Sequence, residues 1–222
     1  MSLEYRHVAS LAVAAAALVA FTAARADAPP PDPDLLQIQQ AWAHANYEVP
    51  AGDARVAALE QLVRRAAAFA QQHPGRAEPL IWEGIVESSY AGARGGLGAL
   101  RHAKAALQHL SAALDIDPKA LDGSAYTSIG TLYYKVPGFP LGFGDDDKAR
   151  AYLEKALQVN PSGIDQNYFY ADFLYEQGDY RAALEHLERA LHAPPRPNRE
   201  IADRGRRAEI EALLEKVRHK LA

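Results

Sequence analysis

The chain has 222 residues, 49 % apolar and 23 % charged, a balance that supports a folded protein and excludes a disordered one. It contains no cysteine, which rules out a disulfide framework, a thiolate metal site, a cysteine nucleophile and a lipid-modified cysteine anchor. With 24 basic against 28 acidic residues the formal charge is −4, so no broad cationic field is available to hold nucleic acid.

Residues 1–26 read as a secretory signal peptide. Arg6 and His7 precede an apolar stretch from Val8 to Ala23, and Ala24-Arg25-Ala26 makes a small-x-small cleavage site. At ~1.5 Å per residue that stretch is ~24 Å long, short of the ~30 Å hydrocarbon core. Retention as an N-terminal anchor is the alternative. The Ala/Arg/Pro-rich style points to a bacterium, for which export means the periplasm. Residues 27–33 form a stiff Pro-rich linker. From 34 to 222 the chain reads as all-α, with helices expected over 34–48, 54–72, 78–91, 97–115, 121–135, 146–159, 164–177, 180–192 and 198–220.

Three segments end alike: Ala106, Leu110, Ala113 and Pro118; Ala149, Leu153, Ala156 and Pro161; Ala183, Leu187, Ala190 and Pro195. In each, the Ala–Leu–Ala spacing makes one helix face on which small residues admit a close neighbour, and the proline stops the helix. Leu62, Ala66, Phe69 and Pro74 form a degenerate copy. The pattern resembles the tetratricopeptide repeat, whose period is 34 residues, the interval from Pro161 to Pro195. Gly178-Asp179-Tyr180 matches that family's turn between its two helices, and Gly84 and Gly130 match its close-contact position. The resemblance implies a right-handed solenoid of about four helix pairs, with 198–222 as the capping helix. An irregular helical bundle is the alternative. In the cap, Ile201, Ile210, Leu213, Leu214, Val217 and Leu221 are expected on the buried side, and Arg204, Arg206, Arg207, Glu209, Glu211 and Lys216 on the wet side.

In such a stack the first helices line the concave surface. Matching positions are Ile81, Ile85, Ser88 and Ser89, then Thr127, Thr131, Tyr134 and Lys135, then Tyr168, Asp172, Tyr175 and Glu176. This mixture suits a groove for a peptide or an amphipathic ligand, although some of these residues could simply pack between helices. Two units are longer than the standard repeat. The excess falls between their helices, in expected inserted turns at 91–98 and 135–147 that should lie side by side. Phe139 and Phe143 on the second turn would each forfeit roughly 1.5–3 kcal/mol if exposed, so they are expected at the groove mouth or against a partner. Twelve of the 19 aromatic residues lie between Tyr126 and Tyr180, which puts the expected site in that half.

A narrower resemblance rests on Tyr133-Tyr-Lys-Val-Pro-Gly-Phe-Pro-Leu-Gly-Phe-Gly-Asp145, on Lys148-Ala149, on Asn160-Pro-Ser-Gly-Ile-Asp165 and on Asn167-Tyr168-Phe169-Tyr170. Residues 77–192 are similar to the T-component family of tripartite ATP-independent periplasmic (TRAP) transporters. Phe139 stands where that family carries Trp, and the lipidation cysteine of its lipoprotein members is missing. The resemblance implies a non-enzymatic periplasmic accessory that pairs with a solute-binding component as a trimer and holds a hydrophobic small molecule in a cleft or central pore. The candidate ligand- or partner-binding set is Trp82, Ile85, Ser88, Thr127, Thr131, Tyr134, Val136, Pro137, Phe139, Phe143, Asp145, Asn167, Tyr168, Asp172 and Tyr175.

Signals of catalysis are weak. Asp145-Asp-Asp147 opens a helix, where carboxylates cap free N–H groups. Glu83 and Glu87 could perform acid–base work or be solvated. His102 and His109 share a helix face without an evident partner. Gly92–Gly98 lacks the ending of a phosphate-binding loop, and no nucleophile turn or other cofactor motif is present. A general protein–protein adaptor for envelope assembly is the alternative function; a hydrolase using Glu83/Glu87 or the triple Asp is the third reading.

Overall fold

The computed structural model describes residues 32–222. The expected signal peptide (1–26) and nearly all of the expected linker lie outside the described residues. Within the described residues nine α-helices follow in order: α1 (Pro33–Tyr47), α2 (Asp53–Gln72), α3 (Ala77–Arg94), α4 (Gly96–Ile116), α5 (Ala120–Lys135), α6 (Asp146–Val159), α7 (Ile164–Glu176), α8 (Tyr180–Leu191) and α9 (Glu200–Leu221). Pro33 belongs to the first helix rather than to the linker. Its missing N–H costs nothing at the first helical position, and the Asp32 side chain accepts from the backbone N–H of Asp34 and Leu35. Among the described residues no helix is long and apolar enough to cross a membrane.

The helices pair as α1/α2, α3/α4, α5/α6 and α7/α8, with α9 against α8. The small–large–small faces cause the pairing. Ala106, Leu110, Ala113, Ala149, Leu153, Ala156, Ala183, Leu187 and Ala190 are all fully buried. A Cβ on Gly84 would stand 2.5 Å from Leu110 Cγ, and one on Gly130 would stand 2.6 Å from Leu153 Cγ. The two units therefore use the same device: a bare backbone on the first helix receives a leucine from the second.

The two expected insertions are built differently. The 91–98 segment is no loop. Helices α3 and α4 run to 18 and 21 residues and meet at Gly95, so the excess length goes into helix. The second insertion is a true loop. It folds on itself through Gly144 N to Pro137 O (3.0 Å) and Asp145 N to Tyr133 O (2.9 Å). A Cβ at Gly144 would collide with Val136 O, which explains glycine there. Helix α5 becomes regular later than the pattern implies, because Leu121, Asp122 and Gly123 take left-handed φ values of 49°, 56° and 74°.

The first helices α1, α3, α5 and α7 pack side by side, and α9 joins as a fifth member against both α7 and α1. The stack thus closes on itself. Gly205 of α9 lies so near the Tyr47 ring that any Cβ there would overlap it. Tyr47 Oη donates to Glu209 (3.3 Å), and Arg204 pairs with Glu48 at 3.0 Å. The cap differs from expectation in five places. Two of them are Arg207 and Glu209, half-buried where the first donates to the Leu191 and Ala193 carbonyls and the second accepts from Arg206. Arg206 is buried, because ion pairs and two aromatic rings hold it. Leu221 is exposed at the helix end, and Ile201 is half-buried at the start.

Truncating Leu153 to Ala should cost about 3 kcal/mol and lower the melting temperature by roughly 6–12 °C. A shift under about 2 °C in a calorimetric melt would show that the Gly130–Leu153 contact does not hold the third pair together.

Candidate binding pocket

The ring of first helices surrounds a pocket of about 400 Å³. Helix α3 contributes Trp82, Ile85, Ser88, Ser89 and Gly92, and α5 contributes Ser124, Thr127, Ser128, Thr131, Leu132 and Lys135. Those spacings mark one face of each helix and run ~15 Å along its axis. Trp42 of α1 meets Trp82 edge to face, with ring centroids 5.7 Å apart. The Trp42 indole N–H donates to Ser89 Oγ at 2.8 Å. Ser88, Ser89 and Thr131 donate their own hydroxyl protons to carbonyls about one turn back. The lone pairs of Ser88 and Thr131 therefore remain available as acceptors, while Ser89 has given one of its two to Trp42. One wall is thus aromatic and aliphatic, and another is hydroxylated.

The third wall is charged and comes from α7, α9 and the segment before α9: Asp165, Phe169, Arg196, Arg199 and Arg206. Asp165 accepts from Arg196 Nη1 at 2.5 Å and from Arg206 Nε at 2.8 Å. Arg196 also reaches Asp203 at 2.7 Å, and Arg206 reaches Glu209 at 2.6 Å. The Arg206 guanidinium lies over the rings of Tyr168 and Phe169, 4.4 Å from each centroid. Burial alone would raise the Asp165 carboxyl, but Arg196 and Arg206 outweigh it and hold that group well below the ordinary carboxylate range. Arg199 is different. It stacks on Trp82 at 5.1 Å and makes no ion pair among the described residues. Burial, with repulsion from Arg196, brings its guanidinium down to about 10.

Of the residues expected from sequence, Trp82, Ile85, Ser88, Ser89, Thr127, Thr131 and Lys135 line this pocket. The others do not. Tyr134 is buried between α5 and α7, donating to Asp172 at 2.9 Å, and the lining Lys135 pairs with Asp172 (2.8 Å) and with Glu176. Asn167 is fully buried and holds the carbonyls of Pro161 and Gly163, a structural task at the start of α7. Tyr168 lies beneath Arg206, just behind the wall, and Tyr175 packs on Tyr180 at the next turn of the stack. In the loop, Val136 and Phe143 pack onto the core beside Tyr133, while Pro137 and Gly144 close the loop backbone. Phe139 is not at a groove mouth: it is 93 % exposed. Asp145 caps α6, accepting from Lys148 N at 3.0 Å.

Trp42 and the three arginines are not reached by reasoning from the repeat. That pattern directs attention to the first helices of complete units, and Trp42 lies in a degenerate one. Arg206 reads from sequence as part of the solvated face of a terminal cap. The spacing Arg196, Arg199, Asp203, Arg206 is the available signal, since it gathers charges on one side of the chain entering α9.

The histidines do have partners: His102 Nδ1 lies 2.5 Å from Glu87, and His109 Nδ1 lies 3.4 Å from Glu83. Burial raises the Glu83 carboxyl, with His109 opposing. These pairs join α3 to α4 and none of the four residues lines the pocket. Among the described residues no cluster of three metal-ligating side chains is present.

The family profile described as Tetratricopeptide repeat matches residues 141–203, from the middle of the loop to the first turn of α9. Among solved structures, a thermophilic TPR protein of Thermus thermophilus is similar at 16 % identity and a TM-score of 0.53, over 81 % of this chain and 97 % of that one. The fold is therefore tetratricopeptide-repeat-like. No curated protein matches the chain.

The Asp165 pairs give a pH signature. The unfolded carboxyl titrates near 3.8 and the folded one lower, so its contribution is complete above about pH 4 and is lost as pH falls through the folded value. Asp165→Asn should cost roughly 2 kcal/mol at neutral pH, because it takes from Arg196 and from Arg206 one of the two carboxylates that each contacts. The gap to the native protein should narrow in acid. Urea unfolding that finds equal stability at neutral pH would remove Asp165 from this role.

Proposed function

We propose that the protein is a non-enzymatic binding scaffold of the periplasm, an accessory of a TRAP-type transporter that pairs with its solute-binding component. In this reading it holds a small, largely apolar molecule. The observation that carries the reading is the pocket inside the helical ring, with its paired indoles on one side and hydroxyls on the other. A pocket of about 400 Å³ is within the range that takes small molecules. A peptide-gripping adaptor would want its concave face open along the stack, and here α9 crosses back to α1. The transporter assignment is supported by the Val136-Pro-Gly-Phe-Pro140 loop and the export signal. Phe139 and Leu141, 93 % and 75 % exposed, supply an apolar knob on a self-braced loop that suits a protein partner. The general envelope adaptor is the second reading, favoured by the same knob taken alone.

Native mass spectrometry of protein recovered from periplasm is expected to show a retained small molecule. Ser128→Trp, which fills the pocket, should abolish it without unfolding the chain. Copurification should bring down a solute-binding protein, and the double change Phe139→Ser with Leu141→Ser should weaken that capture at least tenfold. Protein-only partners with no retained molecule would favour the adaptor. Capture unaffected by the double change would remove the loop from the interface.

A further inference from the structure

We propose that the pocket takes a monoanion: a carboxylic acid with an extended apolar body, its carboxylate received by Arg199. This rests on the small-molecule reading above and specifies the chemical class. The cations Arg196 and Arg206 are occupied by Asp165, Asp203 and Glu209, and Lys135 by Asp172 and Glu176. Arg199 Nε is buried and has no hydrogen-bond acceptor among the described residues. The indole beneath it, Trp82, is 3 % exposed, and its Nε1 also lacks an acceptor. The two buried side-chain polar atoms left unsatisfied among the described residues are thus both donors, and they belong to two residues in contact at the pocket wall. Both atoms lie beneath the surface of the wall, so an acceptor-bearing ligand would meet the outer part of the Arg199 guanidinium, which lines the pocket and has no carboxylate partner among the described residues.

The same inventory sets the charge. Among the described residues Arg199 is the one guanidinium of the wall without a carboxylate partner, and Asp165 and Asp203 stand close by. Arg196, Arg199 and Arg206 together already match the charges of Asp165, Asp203 and Glu209, so a ligand carboxylate is drawn by direct contact with the unpaired Arg199 and not by a net positive wall, and a second negative charge would face Asp165 and Asp203. The body of the ligand follows from the remaining wall, where Trp42, Ile85, Leu132 and Phe169 offer apolar surface along the ~15 Å run of α3 and α5.

Calorimetric titration with decanoate, decanol and decylamine tests the class. Decanoate is expected to bind at least tenfold tighter than decanol, and decylamine to bind weakest. Arg199→Gln should erase the acid-over-alcohol preference; Arg199→Lys, which keeps the charge, should restore part of it. Circular dichroism melts confirm that both variants fold. Equal binding of decanoate and decanol by the native protein, or a preference that survives Arg199→Gln, overturns the carboxylate assignment and leaves the small-molecule reading standing. Failure of all three probes, with no retained molecule in native mass spectra, overturns both.

Discussion

The docking of α9 onto α1 is the constraint on which the rest depends. Without it the first helices would present an open concave face, as stacked hairpins do. With it, the charged side of α9 becomes a wall rather than a solvent surface. The contact is made possible by a missing side chain at Gly205, which lets the Tyr47 ring lie directly on the α9 backbone. Arg206 then finds Asp165 and Glu209 on either side and aromatic rings below. A guanidinium is suited to this position because its planar fork serves two carboxylates while its face stacks on rings.

The pocket exists because the helix pairs are packed so tightly elsewhere. Alanine faces and glycine contacts bring the second helices close to the first, so the core between each pair is thin and solid. Space is left at the inner faces, where serine and threonine are too short to meet across the ring. The hydroxyls bond to their own helix carbonyls and so need no partner from the opposite wall. The polar lining is therefore compatible with an open space in a way that asparagine or glutamine side chains would not be.

The pairing of helices is legible in the sequence because its cause is local. Ala149, Leu153 and Ala156 carry their spacing on one helix, and Pro161 marks its end. The α3 and α5 faces of the pocket are legible for the same reason: Ser88, Thr127 and Thr131 follow from helical periodicity once the first helices are identified. What periodicity cannot convey is contact between distant segments. Tyr47 and Glu209 are 162 positions apart, and nothing in either neighbourhood announces the other. Trp42 enters the site by packing on α3, and Arg196 and Arg206 by pairing with Asp165 of α7, contacts that likewise join segments distant in sequence. The loop misleads for another reason: Phe143 packs inward on Tyr133 while Phe139, four residues away, points into solvent, and composition treats both as the same apolar anchor.

Closure also changes how the architecture can vary. An open array can gain or lose a unit at either end, because each unit depends on its immediate neighbours alone. A circular arrangement has no spare terminus: adding one hairpin would carry the last helix past the first, and removing one would leave it short. The number of units is thereby locked by geometry. The joint between α1 and α9 also lengthens the average sequence separation of contacts, so assembly becomes a collective event rather than a sequential zippering.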